Sequence, residues 1–201
     1  MRTRTHLAIA VCTTAWINAA SAQTTAYSPD SGRTPNQIVL SIPVTASVGG
    51  RCGFATAGTP NGSYHQIDFD VNGLAHDFAF VLDCTGPSRV AVVSQNGGLL
   101  TTGTAPTGYT VRAPYDVSLH LVANGGGTTA DATCAAATLP TGSTCSFLGP
   151  ASTAQGLRLT AASTLQAGSY LRVSAPPYAG ATALVNGTYS DVLTVTLSAS
   201  P

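Results

Sequence analysis

Residues 38–48 form the stretch that most constrains the fold, and they read Ile-Val-Leu-Ser-Ile-Pro-Val-Thr-Ala-Ser-Val. Every second position is apolar, and the positions between carry Ser, Pro and Thr, with Val39 as the exception. Since successive side chains of a strand point to opposite faces, the pattern predicts a strand with one wholly apolar face. That face has to be buried against a partner, in this chain or in another. The apolar positions are Ile38, Leu40, Ile42, Val44, Ala46 and Val48.

Residues 1–22 have the pattern of a secretory signal peptide. Arg2 and Arg4 make the start basic, residues 7–20 form a mainly apolar run, and residues 20–22 read Ala-Ser-Ala, a cleavage motif of small residues. The apolar run is too short and too often interrupted by polar residues to span a membrane. We therefore predict that the chain is exported without membrane insertion and that the signal is removed.

The remaining composition limits the class of protein. Removal of the signal leaves 179 of the 201 residues, which is enough for one sizeable core. Four cysteines remain, and an even number in an exported chain is typical of a disulfide framework. Six arginines and eight aspartates remain, and the chain contains no lysine or glutamate. This charge balance offers no basic patch for nucleic acid and no basic helix for a membrane surface.

The composition also favours strands over helices. Lysine and glutamate, which suit exposed helix faces, are absent, whereas glycine, threonine, serine and valine are plentiful. Residues 23–36 are polar and aperiodic, and we predict a disordered tail there. After residue 48 the pattern predicts about seven strands and no helix, which indicates an all-β antiparallel sandwich. The predicted strands comprise residues 66–71, 77–84, 90–94, 109–112, 115–122, 169–174 and 187–198.

The closing segment, residues 187–198, gives the second clear two-residue period in the chain. We expect a long amphipathic strand there. Its apolar face carries Tyr189, Leu193, Val195 and Leu197.

Residues 123–156 lack any such period, and we expect a long loop outside the core. Cys134 and Cys145 lie in this segment. A disulfide between them would close 12 residues, and the chain-entropy model gives about 3 kcal/mol for a loop of that order.

Several motifs occur in a characteristic order along the chain. The alternating stretch ends shortly before Cys52, residues 67–70 read Ile-Asp-Phe-Asp, and Cys84 ends a predicted strand. A Tyr-Asp pair stands at residues 115–116, and residues 187–191 read Gly-Thr-Tyr-Ser-Asp before the closing alternation. In this order the chain resembles the spore coat protein U-type family, the exported domain that serves as pilin in archaic chaperone–usher pili.

The resemblance, which covers residues 37–198, implies an immunoglobulin-like sandwich that lacks its final strand. Residues 49–201 would form the sandwich, and residues 37–48 of a neighbouring subunit would complete it as a donor strand. Pro43 cannot donate a ladder hydrogen bond within that strand. The pocket-filling side chains would be Ile38, Leu40, Ile42, Val44, Ala46 and Val48, and the groove would be lined by Tyr189, Leu193, Val195 and Leu197.

The resemblance also implies partners, a location and a disulfide. A periplasmic chaperone would lend a strand during transit, and an outer-membrane usher would assemble neighbouring pilus subunits into a fibre. The fibre would lie on the cell surface and support attachment or biofilm formation. Cys52 and Cys84 would form the family disulfide, which closes 33 residues and contributes about 3 to 4 kcal/mol.

One group of residues has metal-ligand side chains: His65, Asp68, Asp70, His76 and Asp77 are of the kinds that bind zinc or copper. Their spacing matches no known module, so we interpret them as solvated strand ends and a turn. The sequence therefore predicts no metal and no other cofactor.

No residue pattern indicates catalysis. A Gly-x-Ser-x-Gly motif is absent, and Asp116 and His120, which share a strand face, belong to no known nucleophile motif. We therefore predict a non-enzymatic protein. One alternative stays open, a minor or tip subunit that binds carbohydrate or another surface ligand through residues 134–145, because loops on rigid scaffolds often carry binding residues.

Overall fold

The structure, a computed structural model, describes residues 50–56 and 62–200. The predicted signal peptide, the tail at residues 23–36 and the donor strand at residues 37–48 lie outside the described residues. All described residues belong to one compact unit.

The regular secondary structure of the described residues is almost wholly β-strand, which confirms the predicted all-β class. The four-residue helix α1 (Phe69–Asn72) and a 3-10 turn (Ala136–Thr138) are its helical elements. Within the described residues, none of the helices has the length and apolar character needed to cross a membrane. The strands are β1 (Cys52–Phe54), β2 (Leu74–Cys84), β3 (Ser88–Ser94), β4 (Leu99–Leu100), β5 (Tyr109–Thr110), β6 (Arg112–Ala113), β7 (Asp116–Val122), β8 (Thr129–Ala135), β9 (Leu157–Leu159), β10 (Ser163–Ala175), β11 (Ala183–Leu184) and β12 (Leu193–Ala199).

Two antiparallel sheets make up the body of the fold. A five-stranded sheet has the order β1-β2-β10-β7-β8, and a three-stranded sheet has the order β12-β3-β9. Two short pairs, β4 with β6 and β5 with β11, lie outside them, and β5 and β11 run parallel.

Both sheets contribute to one hydrophobic core. β7 shows the predicted two-residue period, because Val117, Leu119 and Leu121 are at most 1% exposed while Ser118 and His120 are half-buried. Full burial of an aliphatic side chain contributes about 1.5–3 kcal/mol, so this face of β7 is a large part of the core. Phe80, Leu82 and Leu171 add to the core from the same sheet as β7. The three-stranded sheet adds Val90, Val92 and Leu159.

The prediction of a strand at residues 66–71 is wrong, because this segment leads into the single helical turn α1. The N–H of Gly73 donates to Phe69 O (2.8 Å), which closes the turn within the segment itself. Gly73 has a φ of 74°, and a Cβ there would lie 2.7 Å from Ala175 O. The Asn-Gly pair at residues 72–73 therefore ends a helical turn instead of joining two strands.

The expectation of a loop outside the core at residues 123–156 is also wrong. β8 lies in this segment and pairs with β7 along its whole length, and Leu139 and Phe147 are fully buried. β8 is an edge strand with a two-residue period of small side chains. Its core-facing residues, Ala130, Ala132 and Cys134, are small, so the period gives only a weak apolar signal. The segment is part of the fold despite its polar composition.

Strand limits differ from the prediction at several places. β2 starts at Leu74 rather than at residue 77, and β10 starts at Ser163 rather than at residue 169. The closing strand starts at Leu193, and before it Ser190 makes an isolated bridge to Leu100.

Candidate partner-binding groove

β12 and β2 each have an edge that is unpaired over part or all of its length. β12 pairs with β3 on one side, and no strand among the described residues pairs with its other side. On the edge of β2 that faces away from β10, β1 pairs only with residues 82–84, and Ala55 N–H donates to Val81 O (2.9 Å). A free strand edge presents unpaired N–H and C=O groups that another strand can bind.

An open groove of ≈ 1150 Å³ is lined by residues of both these strands. Its floor is apolar and comes from the two sheets. Because this floor belongs to the same cluster as the core, the groove opens directly onto the hydrophobic core. The lining residues that belong to the core cluster are Leu74, Phe78, Leu99, Tyr115, Leu171, Val173, Leu193 and Val195.

The apolar side chains of β12 are incompletely covered. Leu193, Val195 and Leu197 pack against the core, yet all three are half-buried. Such side chains have lost part of their contact with water but lack a neighbour on one side. Further burial of this strand by a partner would therefore stabilise both molecules.

At the Cys84 end of β2, β1 contacts both β2 and β12, although none of its residues lines the groove. Phe54 of β1 packs edge-on against Phe80, with ring centroids 5.7 Å apart. The disulfide Cys52–Cys84 fixes β1 to the end of β2, with Cα atoms 4.0 Å apart. This is the pairing that the family resemblance implies.

The start of β12 is held by Asp191, just before the strand. Its Oδ2 accepts hydrogen bonds from Ser94 Oγ (2.6 Å) and Tyr115 OH (2.7 Å), and its Oδ1 accepts from the N–H groups of Asn96 (3.0 Å) and Val192 (2.7 Å). Burial, followed by the neighbouring Asp191 carboxylate, raises the pKa of Tyr115 above its ordinary value. One carboxylate thus fixes the start of β12 against β3 and the residue before β7.

Three of the four residues predicted to line a groove do line this one: Tyr189, Leu193 and Val195. Tyr189 OH donates to Val185 O (2.9 Å), and its ring lies against Phe69 at 5.5 Å. Leu197 lies farther along β12 and packs on the core instead of lining the groove.

Sequence reasoning did not assign the residues of β2 and β10 that line the groove opposite β12. Phe78, Leu171 and Val173 belong to strands whose apolar character the sequence shows, since two of the predicted strands contain them. Which edge of a strand remains unpaired is set by the order of strands in the sheet, and a side-chain period carries no such information.

The residues with metal-ligand side chains do not converge. Arg172 Nε and Nη2 donate to the two carboxylate oxygens of Asp77 (2.6 and 2.7 Å), and this hydrogen-bonded pairing holds the pKa of Asp77 below its ordinary value. His76 instead stacks on Tyr64, with ring centroids 4.0 Å apart. Among the described residues, no three side chains of His, Cys, Asp or Glu are placed to hold a metal ion. His65, Asp68 and Asp70 line the groove.

His120 and Asp116 do not form a pair. His120 Nδ1 is hydrogen-bonded to Asp131 Oδ1 on the neighbouring strand β8, and its ring stacks on Tyr170 at 4.9 Å. Arg172 lies 5.1 Å from the centre of the same Tyr170 ring. These side chains form a row across the three strands β8, β7 and β10, on the sheet face opposite the core.

The segment proposed to carry a surface ligand is closed by the disulfide Cys134–Cys145, with Cα atoms 5.9 Å apart. Leu139 within it is fully buried and serves the core. None of the residues that line the groove comes from residues 134–145. Ligand binding by this loop stays a prediction.

Comparison of the chain with protein-family models, with curated proteins and with solved structures finds no match in any of the three. The groove and the sequence pattern of residues 38–48 are therefore the observations from which a function can be argued.

Proposed function

We propose that this protein is a structural subunit of an extracellular chaperone–usher pilus that polymerises by donor-strand exchange. Residues 37–48 of one copy fill the groove of the next copy and complete an immunoglobulin-like sandwich. One observation carries the proposal: the groove opens onto the core beside the free edge of β12, and the sequence of residues 38–48 in the same chain predicts a strand with one apolar face.

The lengths of the two partners support this proposal. Residues 38–48 comprise 11 residues, as does β2, and β12 comprises seven. At about 3.3 Å per residue, the donor strand reaches about 36 Å and covers the full free edge of β12. Main-chain bonds to that edge supply affinity, and alternate side chains in the groove supply register.

The apolar face of the donor strand suits the floor of the groove. Each fully buried Val, Leu or Ile contributes about 1.5–3 kcal/mol, and the donor strand brings five such side chains together with Ala46. The half-buried side chains Leu193 and Val195 gain cover at the same time. This mutual burial is the driving force of the proposed assembly.

The cellular partners are those that the family resemblance implies, and the open groove gives a physical reason for them. An unfilled groove exposes apolar surface and a strand edge, which together promote aggregation. A periplasmic chaperone that lends a strand, and an outer-membrane usher that replaces it with the next subunit, avoid this exposure. The two disulfides indicate an oxidising compartment, as the periplasm and the cell exterior are.

Sedimentation of the purified chain of residues 23–201 tests the proposal, because it measures the distribution of oligomer masses. We expect wild-type protein to form polymers and Leu40→Asp to remain monomeric, because a carboxylate in an apolar groove costs several kcal/mol. Ser41→Asp is the matched control, since residue 41 lies on the other face of the strand, and it is expected to polymerise. Wild-type protein that stays monomeric at all concentrations, or equal behaviour of the two variants, overturns the proposal.

A further inference from the structure

Three exposed apolar side chains surround the mouth of the groove. Tyr64, Ile67 and Val192 line the groove and are 40%, 68% and 55% exposed. Exposed apolar residues that occur singly need no explanation, but a group around one opening indicates a contact surface. We call Tyr64, Ile67 and Val192 the rim patch.

The backbone on both sides of the rim patch is anchored. The carbonyl of Ile67 accepts from Gln66 Nε2 (3.0 Å) and Asn72 Nδ2 (3.4 Å). The carbonyl of Val192 accepts from Gln95 N–H (3.0 Å). The patch is therefore presented by fixed backbone, and it lies at the end of β2 and β12 opposite to β1.

A fourth exposed apolar residue, Leu165, lies at the β1 end of the molecule and is 65% exposed. β10 has a bulge between Thr164, which pairs with Asp83, and Gln166. Leu165 occupies the bulge with a φ of 52°, a conformation that is costly for leucine. Since bulges re-aim side chains, the strained backbone serves to present this leucine to solvent.

The start of β1, which follows residues 37–48 in the chain, lies at the same end of the fold as Leu165. Gly53 of β1 pairs with Asp83, which also pairs with Thr164, so Leu165 lies about two strand spacings, roughly 10 Å, from β1. Only residues 49–51 separate the donor strand from Cys52, and they span at most about 14 Å. The body of a donating copy must therefore lie close to the groove that its strand fills.

We propose a second contact between successive subunits, in which Leu165 of the donating copy packs on the rim patch of the accepting copy. The inference rests on the proposed donor-strand exchange and adds a body-to-body contact to it. Leu165 and the rim patch lie at opposite ends of one chain. The contact is therefore head-to-tail and is of the kind that repeats along a fibre. The donor strand then runs antiparallel to β12, because its last residues lie at the rim.

The contact is tested by cross-linking in polymers of the full mature chain. Ile67→Cys combined with Leu165→Cys is expected to give a covalent ladder in denaturing gels after mild oxidation. The control pair is Tyr109→Cys with Leu165→Cys, since Tyr109 is exposed and does not line the groove. It is expected to give no ladder.

Substitutions that preserve the backbone conformation allow a second measurement, the rate at which subunits dissociate from polymers. Leu165→Asn retains a residue that tolerates positive φ and removes the apolar side chain. We expect it, and Ile67→Ser, to speed the loss of subunits from diluted polymers about fivefold to tenfold, with no further gain when the two are combined. Tyr109→Ser is expected to leave the rate unchanged.

The two proposals fail in different ways. Normal polymers that give no ladder and show unchanged dissociation in Leu165→Asn overturn the body contact and leave donor-strand exchange intact. Wild-type chain that forms no polymer overturns both. A ladder together with non-additive rates supports the contact.

Discussion

β3 and β12 are neighbours in one sheet, yet their surroundings differ. Val90, Ala91 and Val92 of β3 are fully buried, whereas no residue of β12 is fully buried. β3 has β12 on one edge and β9 on the other, while β12 pairs only with β3 among the described strands. β3, with both edges filled, thus belongs to the core, whereas β12 keeps a free edge and half-buried side chains.

The difference extends to the two sides of the molecule. The side that carries β9 and the Cys134–Cys145 disulfide is filled by Leu139 and Phe147, both fully buried. The side that carries β12 ends in the groove. We therefore expect substitutions on the filled side to change folding, and substitutions on the groove side to change assembly.

The largest expected effect on folding lies on the filled side. Phe147→Ala should lower the free energy of unfolding by about 3–5 kcal/mol, because it leaves a cavity in the core. Val195→Ala should cost about 1 kcal/mol, since Val195 is only half-buried in the free subunit. Denaturant unfolding in the Leu40→Asp background, which prevents assembly, measures both, and equal losses would remove the distinction between the two sides.

The two disulfides allow a sharper version of the same comparison. Replacing Cys134 and Cys145 by alanine should lower the free energy of unfolding by about 3 kcal/mol and leave the rate of polymerisation unchanged while the chain remains folded. Replacing Cys52 and Cys84 should cost about 3 to 4 kcal/mol and also slow polymerisation, because the disulfide fixes β1 to β2 and β1 contacts β12, the strand with the free edge. Unfolding curves and light scattering provide the two readouts. Similar polymerisation rates in both variants would contradict the role given to β1.

Asp191→Asn should have a smaller effect, about 1–3 kcal/mol. Asparagine keeps the shape but offers one acceptor oxygen, so the hydroxyls of Ser94 and Tyr115 or the two backbone donors lose their partner. Denaturant unfolding of this variant is compared with that of Asp116→Asn, an exposed aspartate on β7. Equal stabilities would show that the carboxylate does not fix the start of β12.

The smallest effect is expected at the exposed ion pair between Asp77 and Arg172. The folded state lowers the pKa of Asp77 from 3.8, so the pair stabilises the fold above that pH, and the gain is lost as pH falls through the folded value. Because both side chains are substantially exposed, Asp77→Asn should cost less than about 1 kcal/mol at pH 7. Urea unfolding at pH 7 and pH 2 checks this, and a difference that grows toward pH 2 would have the wrong sign.

Much of the fold could be predicted from local pattern. The period at residues 115–122 appears as β7 with one buried face, and the cysteine pairing is the one expected. Such features are visible because a side-chain period reflects which face is buried. The class of fold and the residues that β12 brings to the groove follow from the same signal.

What the sequence did not reveal depends on contacts distant along the chain. Ile67 and Val71 alternate with aspartates as in a strand, yet they are exposed beside and within α1. The period of β8 is weak because its core-facing side chains are only alanine and cysteine, while its neighbour β7 supplies the large buried side chains. The wall of the groove from β2 and β10 depends on sheet order, which no single segment encodes.

The most direct test of donor-strand exchange mixes two defective chains. Leu40→Asp has an intact groove and a defective strand, whereas Val195→Asp has an intact strand and a charge in its groove. Each should be monomeric alone, and mixing should give 1:1 heterodimers in sedimentation. Thr194→Asp, on the exposed face of β12, should still polymerise by itself. Two folded, disulfide-bonded variants that remain monomeric on mixing would contradict the proposed exchange.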